Sequence, residues 1–140
     1  MSEDRKETYS AKRRTFIIEK EEAKQISDYA SRENTSAFMM FTSAVAVYMN
    51  RIKMNAERFY IGTAVLNRST VKEKNTAGMF VNTAPILVEL DNSQSFAENR
   101  NAIEVSAFSV LRHQKFNYGD VLASIRKEYG FSDKLFDVML

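Results

Sequence analysis

The segment Ala37–Lys53 constrains this chain more than any other. Phe38, Met39, Met40, Phe41, Ala44, Val45, Val47, Tyr48, Met49 and Ile52 fall on nearly every helical face, and Asn34-Thr35-Ser36 supply N-cap side chains ahead of them. A helix apolar all round has to be buried on several sides, so it is expected to be the central helix of a core or to lie beneath a partner. It is not a bilayer span: the run Ala37–Met49 is about 13 residues, broken by Thr42 and Ser43, against the ~20 that a membrane helix needs. At 140 residues the chain is long enough for one domain with a real core. The absence of Cys removes disulfides, a thiolate nucleophile and thiolate-bound zinc, and the single histidine, His113, leaves no histidine cluster for a metal. The net charge of +2, with basic and acidic residues interleaved, gives no footprint for nucleic acid. Residues 2–14 are polar and charged without the apolar centre of a signal peptide, which leads to the expectation of a cytoplasmic protein.

Around the apolar helix, periodicity lays out the other elements. Thr15-Phe16-Ile17-Ile18 reads as a short strand. Glu19–Arg32 carries Ala23, Ile26, Tyr29 and Ala30 at helical spacing and reads as an amphipathic helix. Arg58–Leu66 reads as a buried strand, Asn67–Thr76 as a loop or short helix, and Met79–Leu90 as a strand. Pro85 requires that last strand to be an edge, bent, or in two pieces, because proline cannot donate to a ladder. Ser95-Phe96-Ala97-Glu98 has the pattern of a capping box opening a helix to about Gln114, with Phe96, Ile103, Ala107 and Val110 on one face. A further helix over about Gly119–Tyr129 presents Val121, Leu122, Ile125 and Tyr129 and stops at Gly130. Phe136–Leu140 is again strand-like. The order β-α-α-β-β-α-α-β predicts an α/β or α+β class, with a mixed β-sheet and helices packed on one face. Ending in an apolar strand pattern suggests a piece of something longer.

Two stretches are more specific than composition: Tyr60-Ile61-Gly62-Thr63-Ala64-Val65-Leu66-Asn67-Arg68, and Ala77-Gly78-Met79-Phe80-Val81-Asn82-Thr83. Together they resemble the condensation domains of nonribosomal peptide synthetases, in which an Ile-Gly-Thr-Pro-Val-x-Asn-Arg strand precedes a short polar insert and then Gly-Met-Phe-Val-Asn-Thr. Thr35–Ile52 fits the buried helix ahead of the first motif. Leu111-Arg112-His113-Gln114-Lys115-Phe116-Asn117-Tyr118 is similar to the later Arg-His-Gln-x-x-Pro-Tyr segment, and Lys134–Leu140 looks like the start of a Phe-Asp-Val strand. Ala64 and Asn117 stand where that family has proline. The family's His-His-x-x-x-Asp-Gly motif does not occur here.

The resemblance implies an α/β two-layer sandwich, a chloramphenicol acetyltransferase-like half-domain: residues 1–14 a polar N-terminal segment, residues 15–140 part of the C-terminal lobe. The parent domain would form amide bonds between aminoacyl or peptidyl thioesters held by phosphopantetheine on carrier-protein domains. Its partners would be the N-terminal lobe of the same domain, the carrier proteins and an adenylation domain. This chain would hold no cofactor, no metal and no catalytic residue of its own, and would be inactive alone. Asn67 and Arg68 would brace the active-site motif of the other lobe; with that partner missing, Arg68 would be solvated or paired elsewhere. Gly78, Met79, Phe80, Val81, Asn82 and Thr83 would form a loop and strand flooring the tunnel, where Met79 and Phe80 either line the channel or pack in the core, and Asn82 and Thr83 bond backbone rather than substrate. An acyltransferase using coenzyme A and a non-catalytic interaction module remain alternatives. His113 reads as a local structural residue, the methionines Met39, Met40, Met49 and Met54 as adaptable core packing, and Lys12-Arg13-Arg14 as a solvated face. The face turned toward the missing lobe, apolar from Met79 to Leu90 with an open strand edge, would favour a homo-oligomer.

Overall fold

A computed structural model describes residues 10–52, 56–130 and 133–140. Residues 1–9 of the polar N-terminal segment, and Lys53 and Met54, which the sequence reading used, lie outside the described residues. The elements run α1 (Lys20–Arg32), α2 (Ala37–Ile52), β1 (Arg58–Val65), α3 (Val71–Lys74), β2 (Asn82–Glu89), α4 (Phe96–Arg112) and α5 (Tyr118–Tyr129).

Local chemistry sets most of the boundaries. Ser36 Oγ accepts the Met39 N–H at 3.2 Å and opens α2. Ser95 and Glu98 form the reciprocal capping box of α4. Asn117 Oδ1 accepts the Gly119 N–H at 2.7 Å and opens α5. Gly130, at φ +65°, ends α5 in the left-handed conformation that glycine adopts without strain.

The sheet is built on β1 and β2, antiparallel with Ile61 opposite Ile86 and Gly62 opposite Pro85. Alternation puts Phe59, Ile61, Thr63 and Val65 on one face with Ala84, Ile86 and Val88 of β2. Helix α4 packs on this face and α2 packs on α4, giving a core of Met39, Ala46, Ile61, Ile86, Val88, Leu90, Ile103 and Ala107. On the other face Gly62 lies under the Phe136 ring, and a Cβ added at Gly62 would sit 2.3 Å from Phe136 Cε2. The Tyr118 ring, at the start of α5, is 5.3 Å from the same phenyl ring.

The third sheet segment is smaller than the sequence pattern suggests. Gly62 donates its N–H to the Val138 carbonyl at 2.9 Å and accepts from the Leu140 N–H at 2.9 Å, a single parallel bridge to Met139. The mixed sheet therefore consists of an antiparallel pair and one parallel bridge. This geometry also explains Pro85. Both backbone groups of Gly62 point to the 138–140 segment, so Gly62 and Pro85 are a non-hydrogen-bonded pair, and the missing donor of Pro85 faces the outer edge of β2.

Three expectations need correction. Among the described residues Thr15–Ile18 joins no ladder: Phe16 is 85% exposed, and a β-branched run without an edge to pair with gains nothing from its propensity. Helix α2 is not buried on several sides but on one. Its packed face carries Met39, Thr42, Ser43, Ala46, Met49 and Asn50, while Phe38, Phe41, Tyr48 and Ile52 stay exposed. Small and polar side chains let α2 approach α4 closely, and two of them find local partners: Thr42 Oγ1 donates to the Phe38 carbonyl at 2.8 Å, and Asn50 Nδ2 to that of Ala56 at 3.1 Å. Tyr129 is likewise exposed rather than part of the packed face of α5.

Candidate functional site

Three segments far apart in sequence meet at one end of the sheet: the loop that leaves β1, the residues that enter β2, and the exit of α4. Asn67 turns the chain at φ +53°, a conformation asparagine tolerates. Its backbone makes the connection. The Asn67 N–H donates to Gln114 Oε1 at 3.0 Å, and its carbonyl accepts from Lys115 Nζ at 3.2 Å. Its side-chain oxygen does not: Asn67 Oδ1 is buried without a hydrogen-bond partner among the described residues.

Arg68 is paired within its own loop. Nη1 donates to the carbonyls of Glu73 and, at 2.7 Å, Thr76; Nη2 donates to that of Gly78 at 2.8 Å. The guanidinium carbon lies 4.1 Å from the centre of the Phe80 ring, a cation–π contact. A planar fork with several donors suits three carbonyls arranged around it, which a lysine could not satisfy in the same geometry. Short helix α3 closes the loop. Thr70 and Glu73 make its capping box, and the Glu73 carboxylate accepts from Ser69 N–H at 2.7 Å, Thr70 N–H at 3.0 Å and Lys115 Nζ at 2.6 Å. These donors hold the Glu73 carboxyl down at about 2, Lys115 first.

Gly78 adopts φ +147°, which favours glycine, and passes the chain to Met79. Met79 is 94% exposed, so packing in a core is not its role; Phe80 lies beneath Arg68 and Val81 is exposed. The strand begins only at Asn82, three residues later than the sequence pattern suggests. Asn82 Nδ2 donates to the carbonyls of Gln114 at 3.0 Å and Phe116 at 2.6 Å, and its Oδ1 accepts from the Thr83 N–H at 2.9 Å. Asn82 therefore bonds backbone and pins the exit of α4 to the start of β2.

A cleft of about 900 Å³ opens beside this junction. Phe38 of α2, Leu66 after β1, and Phe108 and Leu111 of α4 give it apolar walls, and Arg68 and Gln114 are among its polar lining. His113 takes no part: it ends α4, and its Nδ1 lies 2.9 Å from the Ser109 carbonyl, a local contact. Among the described residues no group of three His, Cys, Asp or Glu side chains is disposed to hold a metal. No helix there is long and apolar enough to cross a membrane.

Sequence reasoning singled out Asn67, Arg68 and Asn82 but missed Glu73 and Lys115. The Thr70-x-x-Glu73 spacing was a readable capping signal; the tie from Glu73 to a lysine 42 residues away was not.

The comparisons agree with the motifs. The family described as condensation domain matches residues 1–140. Surfactin synthase subunit 1 of Bacillus subtilis (strain 168) is 32% identical over 116 residues, which are 83% of this chain and 3% of that protein. Tyrocidine synthase 3 of Brevibacillus parabrevis is 25% identical over 125 residues, 89% of this chain and 2% of that one. Among solved structures, the condensation domain from Monacolin K polyketide synthase MokA superposes with a TM-score of 0.75 at 21% identity, covering 87% of this chain and 29% of its own. The first condensation domain of the CDA synthetase gives 0.66 at 19% identity, covering 77% and 24%. The chain thus spans a few per cent of the curated relatives and about a quarter of those structures. Matched by one family along its whole length and built on the fold of solved members, this chain belongs to the condensation domains.

Proposed function

We propose that this chain is part of a condensation domain that joins aminoacyl or peptidyl groups, delivered as thioesters on the phosphopantetheine arms of carrier proteins, in concert with an adenylation domain. In this reading the 67–83 region is the wall it presents to the second lobe, and Arg68 braces the acidic residue of that lobe's active-site motif. The observation that carries the reading is the convergence of the three motif segments on one junction, with a guanidinium fixed beside an apolar cleft. Such a wall suits the chemistry, since an acyl–pantetheine passage wants apolar sides and few polar points. Met79 and Val81, which project from the loop into solvent, are the side chains available to meet an arm or the second lobe. The chemistry itself would sit with the histidines of the other lobe. The proposal includes a cytoplasmic setting, which fractionation of producing cells checks.

The test is condensation between two loaded carrier proteins, measured in the parent assembly with Arg68 intact and with Arg68→Ala. A loss of about 10- to 100-fold is expected, the worth of one or two charge-assisted hydrogen bonds. Unchanged product formation would remove the bracing role. Product formed equally well from a soluble acyl-coenzyme A donor would replace the reading with that of a coenzyme A-dependent acyltransferase.

A further inference from the structure

The pair Glu73–Lys115 is not explained by any of the motifs, yet it ties the polar insert between the first two to the 111–118 segment. Glu73 is bonded at both ends. Its carboxylate takes two backbone N–H groups and the Lys115 ammonium, and its carbonyl accepts from Arg68 Nη1. Lys115 is also divided, reaching Glu73 Oε1 at 2.6 Å and the Asn67 carbonyl at 3.2 Å. One lysine at the exit of α4 therefore grips both the first residue of the loop and the helix that closes it.

We propose that Lys115 is a positioning residue: through Glu73 and Asn67 it holds the Asn67–Phe80 loop, and with it the Arg68 guanidinium, in one orientation against the end of α4. The geometry stands by itself; its consequence for catalysis rests on the reading of this loop as the channel wall.

An exposed ion pair ordinarily contributes little, because two long side chains must give up their freedom to meet. Here that cost is reduced on both sides. Glu73 is already fixed by the Ser69 and Thr70 amides, so its carboxylate is in place before the lysine arrives. The backbone that carries Lys115 is fixed as well, since Asn82 binds the carbonyls of Gln114 and Phe116 on either side of it, and Gln114 Oε1 takes the Asn67 N–H. Only the lysine side chain itself remains to be ordered, and it gains two acceptors. The low Glu73 carboxyl, with Lys115 as its first cause, agrees with a tie made in the folded chain.

The test compares the wild-type chain with Lys115→Met and Lys115→Arg. Amide hydrogen exchange is followed at Ser69 and Thr70, with Ile103 and Ala107 in the buried face of α4 as internal controls. The titration of the Glu73 carboxyl is followed by NMR. In Lys115→Met, exchange at Ser69 and Thr70 is expected to quicken about tenfold, the loss of one charge-assisted hydrogen bond, with the controls unchanged and the Glu73 midpoint raised toward the ordinary glutamate value. Lys115→Arg is expected to restore both. Unaltered exchange and an unaltered midpoint in Lys115→Met would overturn the proposal, as would equal effects of Met and Arg. The carboxyl titration is read independently of exchange, so general loosening, visible at Ile103 and Ala107, does not pass for loss of the tie. The same variants in the parent assembly separate the two ideas. Faster exchange with unchanged condensation keeps the tie and removes the channel-wall reading; unchanged exchange removes the tie whatever the turnover.

Discussion

Helix α2 and the Asn67–Phe80 loop are held by opposite means. The helix is the most apolar element of the chain, yet it packs with Thr42, Ser43, Ala46 and Asn50 and leaves Phe41, Tyr48 and Ile52 exposed. The loop is polar and lies at the surface, yet its backbone is bonded at nearly every turn by Arg68, Glu73, Lys115 and Gln114. Hydrophobicity says how much surface a segment needs to hide. It does not say which face finds a neighbour, because close helix packing selects small side chains. Order in a loop comes instead from satisfied donors and acceptors, which composition does not reveal.

Four changes would break or sharpen this contrast. The largest effect belongs to the apolar half. Ile61→Ala empties a fully buried site in the core on β1 and is expected to cost about 2–5 kcal/mol, measured by urea denaturation. A cost below about 1 kcal/mol would mean that the sheet face is not the core. Gly62→Ala comes next: the new methyl would meet the Phe136 ring, so the 136–140 segment must move, at about 1–3 kcal/mol. Exchange of the Leu140 amide, now bonded to the Gly62 carbonyl, should rise.

The third change is acidification, which tests the polar half. The Glu73 carboxyl is depressed from 4.5 to about 2 in the folded chain. Its contribution is therefore complete above pH 4.5 and is lost as pH falls through about 2. Loop amides Ser69 and Thr70 should lose protection in that window, and Glu73→Gln should abolish the pH dependence at those two sites. Asp91 and Glu98 are also depressed, by Ser93 and Ser95 respectively, so a whole-chain acid melt mixes all three; the loop amides isolate Glu73.

The smallest effect on stability is expected on the exposed face of α2. Phe41→Ser with Tyr48→Ser removes large apolar groups from a surface where they touch little, so the melting free energy should change by less than about 1 kcal/mol. Self-association should fall, because Phe38, Phe41, Tyr48 and Ile52 form a stripe at spacings that one helix presents to another. Sedimentation at increasing concentration checks this; an unchanged association constant would assign any oligomer to another surface, such as the open edge of β2.

Much of the secondary structure was legible because periodicity and capping are local. Ser95-x-x-Glu98 opened α4 where the pattern said, and Gly130 ended α5. The proline rule allowed the Pro85 strand to be an edge, bent or in two pieces, and the structure makes it an edge. Thr15–Ile18 was misread because strand propensity is realised only beside a partner strand. In the candidate site, Asn67, Arg68 and Asn82 were legible by resemblance to the family's motifs, but their partners were not. The acceptors of Arg68 are carbonyls, which every residue carries and no sequence marks. Glu73 and Lys115 are ordinary surface charges until the fold sets them 2.6 Å apart.

By itself, the sequence determined the family, the main helices and the two paired strands, since each depends on side chains within a few residues of one another or on motifs of fixed spacing. Only the tertiary structure decided which face of α2 is buried, that the last strand pairs through a single bridge at Gly62, and that the Arg68 loop is tied to the end of α4. Those outcomes depend on distances between segments tens of residues apart, and such distances exist only once the sheet and its helices have packed.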